Sequence, residues 1–203
     1  MYIDLTHTVS HGTPAFPGDP ETSLTKLRSA EADGYNLSVL SACLHTGTHI
    51  DLPLHWAYGG KTAADYPVGR FMGNGVLLDV RNENPIRMKP EYLNAAAEND
   101  IVLLYTGFGE YFRDGRYFTD YPAVDGCLAD FFISKRIGML GMDTPSPDRP
   151  PFTQHRKLLS GGILILENLT NLQSLIGAER FEVIALPLKV RAEAGPARVV
   201  CKV

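Results

Sequence analysis

Apolar residues along this chain gather in short continuous runs rather than in helical stripes. Gly75–Val80, Ile101–Tyr105 and Ile163–Leu166 each read as a buried strand, and Ile137–Asp143 as a further strand. Tyr2–Leu5 reads as a short first strand, and Ala197–Lys202 as the last. Asn36–Leu44 alternates in part, with Leu37, Val39 and Ala42 apolar, and predicts a strand. Phe181–Leu188 is a strand interrupted by Pro187, which suits a sheet edge or a bulge.

Helix signals are fewer. Pro90 suits a first helical position, with Glu91–Glu98 continuing it. Asp125 is placed to cap a helix that buries Leu128, Phe131, Phe132 and Ile133 and ends near Lys135-Arg136. Gln154–Leu159 makes one or two turns stopped by Gly161 and Gly162, and Thr170 is placed to cap Asn171–Ile176. Eight or so strands and three short helices predict a mixed α/β fold without Rossmann alternation. Residues 1–203 read as one domain, with no linker, repeat or low-complexity stretch.

Composition narrows the function. The formal net charge is -4 and no basic cluster occurs, which argues against nucleic acid and anionic membrane as partners. No apolar run reaches spanning length, and the start turns polar at once, unlike a signal peptide. Cys43, Cys127 and Cys201 have no metal-type spacing and suit free thiols in a reducing cytoplasm. Thr106-Gly-Phe-Gly109 is too short for a phosphate loop, and no G-x-S-x-G marks a serine hydrolase.

The chemistry concentrates in His45-Thr-Gly-Thr-His49-Ile-Asp51-Leu-Pro-Leu-His55, which holds three of the six histidines. Gly47 and Pro53 argue against helix there. In extended chain His49 and Asp51 share a face, and Gly47 lets His45 turn back toward it. Imidazole and carboxylate are ligands for zinc, manganese or iron. Further on, Glu167 closes an apolar strand, where a carboxylate is costly unless paired or metal-bound. His155 lies twelve residues before it. Asp143-Thr-Pro-Ser-Pro-Asp148 reads as a rigid turn with solvated acids, and His7 and His11 as structural or solvated. Phe16, set between prolines in a turn-rich loop, is an aromatic able to cover a pocket.

The run H-T-G-T-H-x-D-x-P-x-H resembles the signature of the cyclase-type metal-dependent hydrolases, among them bacterial kynurenine formamidases. The resemblance implies a swivelling β/β/α architecture. It implies metal ligands at His45, His49, Asp51, His155 and Glu167, with the last two serving a second ion, and a catalytic His55. It places an aromatic near the substrate at Phe16, where related enzymes carry Trp, and a supporting role at Asp143. The cofactor expected is a divalent metal, two zinc ions per subunit or manganese in their place; the residues alone leave a one-ion site open. The expected reaction is hydrolysis of a small aromatic amide, N-formyl-kynurenine, by activated water, in a cytoplasmic homodimer or homotetramer. A cyclic amide such as isatin is the alternative substrate. A non-catalytic metal-stabilised binding protein is the rival of another class, which a closed coordination sphere without water would reveal.

Overall fold

Ten strands and three α-helices form: β1 (Tyr2–Asp4), β2 (Ser23–Arg28), β3 (Leu37–Ser41), β4 (His49–Asp51), β5 (Met72–Asp79), β6 (Ile101–Tyr105), β7 (Met139–Met142), β8 (Leu164–Glu167), β9 (Phe181–Pro187) and β10 (Ala194–Lys202), with α1 (Ala30–Asp33), α2 (Gly126–Lys135) and α3 (Thr153–Ser160). The computed structural model describes all residues, 1–203. The apolar runs pair in parallel: β5 beside β6, β6 beside β7, β7 beside β8. β4 runs antiparallel to β8 and to β10, and β9 runs antiparallel to β10 and to β5. The sheet therefore closes on itself as a barrel, with β1 adding to the far end of β10.

Strand alternation sorts the core into two clusters. Ile101 and Leu103 of β6 join Ile50, Met139, Leu166, Val183 and Val199 on the inner face. Val102 and Leu104 join Leu140 and Ile165 on the outer face, under Leu128 and Phe132 of α2 and Leu158 of α3. Each of these residues is at most 1% exposed, so truncating one to Ala costs about 2–5 kcal/mol.

The mixed α/β class is the one the pattern predicts, and five departures have local causes. The helix expected over Glu91–Glu98 is a 3₁₀ turn, Pro90–Asn94, because Asp100 takes the Ala97 N–H. β2 has no strand pattern; its leucines are three apart, and it pairs only with β3, outside the barrel. Pro187 does not mark an edge. β9 is bonded on both sides, and Pro187 lies beyond the last residue facing β5, where no N–H is needed. Thr170 caps nothing: Asn171, in the left-handed region, precedes the turn Leu172–Leu175. The acids of the 143–148 turn are buried, not solvated.

Candidate active site

β4 sits between β8 and β10, with His49 opposite Glu167 and Asp51 opposite Ile165. Ile165 belongs to the outer cluster, so parity puts His49, Asp51 and Glu167 on that same face while Ile50 and Leu166 point inward. α3 packs over that face and carries His155. Two walls thus meet, one from residues 45–55 and one from residues 143–167.

The first wall is held by local geometry. Gly47 has φ +62, which turns the chain before β4. His49 Nδ1 lies 2.8 Å from the Gly47 carbonyl, which can only accept, so Nδ1 carries the proton and Nε2 offers its lone pair. Thr48 donates to the Asn168 carbonyl at 2.6 Å and accepts from His7 N–H at 3.0 Å. Pro53–His55 forms a 3₁₀ turn that swings His55 back over the site. Gly60 makes this possible: a Cβ there would lie 2.5 Å from Leu54 N.

The second wall needs help from further away. α3 begins after Phe152, which has φ +58 and gives no side-chain cap. Asp148 supplies the cap instead, accepting from Gln154 N–H at 2.6 Å and His155 N–H at 3.1 Å. Ser146 Oγ lies 3.1 Å from His155 Nδ1, which turns Nε2 toward Asp51 Oδ2 at 3.0 Å. Tyr117 donates to Asn168 Oδ1 at 2.8 Å, and Asn168 donates to the Gly47 carbonyl at 2.8 Å, tying the walls together.

His49, Asp51, His155 and Glu167 are each 4% exposed or less. Their polar atoms crowd one another. His45 Nδ1 is 2.9 Å from Asp51 Oδ1 and 3.2 Å from His49 Nε2, which is 3.3 Å from Asp51 Oδ1 and from Glu167 Oε2. The 2.9 Å contact has the length of a hydrogen bond without its angle. Asp51 Oδ1, His155 Nε2 and Glu167 Oε1 are buried with no hydrogen-bond partner. Such orphans are costly, and three together are unusual. Beside them the facing His45, His49, Asp51 and Glu167 atoms lie 2.9–3.3 Å from neighbour to neighbour. Their spacings match the edge of a tetrahedral zinc polyhedron, roughly 3.3 Å for ligands at about 2.0–2.1 Å. The donor set therefore fits a divalent metal.

Ligating atoms form two groups, His45, Asp51 and His55, and His49, Asp51 and Glu167, each within 4.8 Å of one another. Asp51 belongs to both. His55, expected as a catalytic residue rather than a ligand, thus reaches ligand distance as well. Among the side chains, burial opposes the Asp51 charge, but His49, His155 and His45 outweigh it and hold its carboxyl well below the usual range. Burial and the Asp51 charge push Glu167 up. Burial brings His55 down to about 4, so its ring is neutral and able to accept a proton.

The cluster lines a cavity of about 270 Å³ walled by Phe16, Trp56, Phe118 and Phe152. Phe16 packs edge-on to Phe118 and Phe152, with centroids 5.6 and 6.2 Å apart. All seven residues singled out in the sequence meet here: His45, His49, Asp51, His55, His155, Glu167 and Phe16. Asp143 does not. Its carboxylate takes Thr106 N–H, Thr106 Oγ1–H and Gly107 N–H, stapling the turn after β6. Ser146, Asp148, Asn168 and Asp19 escaped the sequence reading. Only the Ser/Asp-rich turn at 143–148 carried a signal for two of them.

A family description, "Putative cyclase", matches residues 3–149. The kynurenine formamidase of Salinibacter ruber is 35% identical over 98% of this chain and 96% of that protein. A solved structure of a potential metal-dependent hydrolase with cyclase activity is 28% identical, with TM-score 0.80, covering 99% of this chain and 96% of the other. Isatin hydrolase A of Labrenzia aggregata shares the fold, with TM-score 0.86 at 24% identity over 100% of this chain and 93% of that one. With the motif histidines and Asp51 set against Glu167 on one sheet face, and with relatives matching from end to end, this chain belongs to the cyclase family of hydrolases.

Proposed function

We propose that the protein hydrolyses the formamide bond of an N-formylated aromatic amine, N-formyl-kynurenine, to the free amine and formate. One observation carries this: a converging cluster of imidazoles and carboxylates at the base of an aromatic-walled cavity. A full-length relative at 35% identity named kynurenine formamidase supports the substrate. Two ions, zinc or manganese, are part of the proposal, supported by Asp51 being common to both ligand groups. His45, His49, Asp51, His155 and Glu167 would hold them. Divalent ions there would polarise the formyl carbonyl and lower the pKa of water from 15.7 toward about 7.

The chain's own residues do the rest. Phe16, Trp56 and Phe152 stack against the arene and exclude water. His55, neutral and facing the same cavity, takes a proton from the attacking water on its ring nitrogen. It then returns that proton to the departing aniline nitrogen, so the C–N bond breaks without releasing a high-energy anion. Elemental analysis with turnover of N-formyl-kynurenine and of isatin, before and after chelation, tests the reading. Turnover of the formamide that disappears with the metal and returns on its addition is expected; turnover of isatin alone assigns a cyclic amide instead.

The proposal includes a homodimer formed through the β2–β3 hairpin. Leu24, Leu27, Leu37, Val39 and Leu40 are each more than 40% exposed on it. A lone two-stranded hairpin is marginal, and a second copy packed about a twofold axis would cover its apolar residues. Leu40→Asp should convert a dimer to a monomer in sedimentation.

A further inference from the structure

Asp19 has no part in the chemistry described above, yet it lines the same cavity. It follows the Phe16 turn, where Asp19 N–H donates to the Phe16 carbonyl at 2.9 Å. Its side chain is half-buried and forms no ion pair with any Lys, Arg or His. Its one side-chain hydrogen bond comes from the Cys43 thiol, a weak donor, 3.7 Å from Oδ2.

The cavity wall contains no lysine and no arginine. Asp51 and Glu167 are committed to the ligand cluster. Asp19 is therefore the one charge on the wall left free for a ligand. A half-buried carboxylate beside aromatic rings favours a cation, because screening by water is reduced there.

We infer that Asp19 is a specificity-determining residue that binds an ammonium group on the substrate, so that the cavity selects amine-bearing aromatic amides over neutral ones. This rests on the amide-hydrolase reading. It adds that the scissile amide and a protonated amine belong to one molecule, the amide at the ligand cluster and the amine at the Phe16 turn. Neutral bicyclic lactams have no ammonium to offer Asp19.

The test uses the metal-loaded protein and two readouts. Trp56 is the single tryptophan and lines the cavity, so its fluorescence reports binding without turnover. The probes are kynuramine, an aryl ketone that carries an ammonium and no carboxylate, and 2-aminoacetophenone, the same aryl ketone without the aminomethyl arm. The wild type should bind kynuramine about tenfold or more tightly than 2-aminoacetophenone, and Asp19→Asn should abolish that preference while leaving 2-aminoacetophenone unchanged. Equal binding of the two probes by the wild type, a preference kept by Asp19→Asn, or absence of any Trp56 response overturns the inference. In parallel, kcat/KM for N-formyl-kynurenine against its amine-free analogue should lose the same factor in Asp19→Asn. No turnover of either formamide by the wild type, with the binding preference intact, defeats the reaction assignment and leaves the ammonium site standing.

Discussion

The two walls of the site reach the same density of ligands by different means. The 45–55 wall is contiguous: one glycine turn, one three-residue strand and one 3₁₀ turn present His45, His49, Asp51 and His55. The 143–167 wall draws on a turn, a helix and a strand, so His155 depends on Ser146 and Asp148 to bring it into line with Glu167. Where spacing alone sets direction, few side chains are needed as props. Where two elements must be aimed at one point, buried hydrogen bonds take over that task.

Removing a ligand from either wall should have the largest effect, since Asp51 joins them. Glu167→Gln should lower bound metal per chain and cut turnover on the order of a thousandfold. Full metal content by elemental analysis would show that the helix wall holds no ion. His55→Ala comes next: activity should fall about 10²- to 10⁴-fold with metal retained. If metal leaves with the ring, His55 is a ligand, as its distance to His45 and Asp51 permits.

Smaller effects separate the props. Asp148→Ala strands two helix N–H groups and should cost about 1–3 kcal/mol in denaturant unfolding, with activity reduced. Thr48→Ala removes one latch from the strand wall and should cost about 0.5–1.5 kcal/mol, with activity nearly kept. A reversed order of activities would mean that the strand wall is the more fragile.

The smallest effect on activity is expected at His7, behind the strand wall, where the change falls on stability alone. Its ring stacks on Phe112 with centroids 3.8 Å apart, and burial, aided by the Arg113 charge, brings it down to about 4 from 6.5. Between those values the unfolded chain binds a proton that the folded chain does not. His7 therefore contributes stability that is present above pH 6.5 and is lost as pH falls through about 4. His7→Phe should flatten that acid limb by about 1–2 kcal/mol after allowance for solvent screening. Parallel pH–stability curves for the two proteins would rule this out.

The same contrast explains what was readable beforehand. His49 and Asp51 announce a shared face because strand parity is local, and Gly47 announces the bend because its φ is positive. Glu167 stood out because a carboxylate ending an apolar strand needs a partner. The β2 strand, the cap from Asp148 and the staple formed by Asp143 were not legible. The staple joins residues 37 apart and the cap spans a Pro-rich turn of six residues, and nothing in Ser23–Arg28 distinguishes a strand from a loop.

Sequence by itself determined which side chains are available and which way the 45–55 segment faces, since both follow from residue chemistry and backbone periodicity. Tertiary structure decided that His49 lies opposite Glu167, that α3 lowers His155 onto Asp51, and that Asp19 ends unpaired on the cavity wall. Those facts come from strand register and helix packing, which are set by the energy of the whole core rather than by any one stretch of chain.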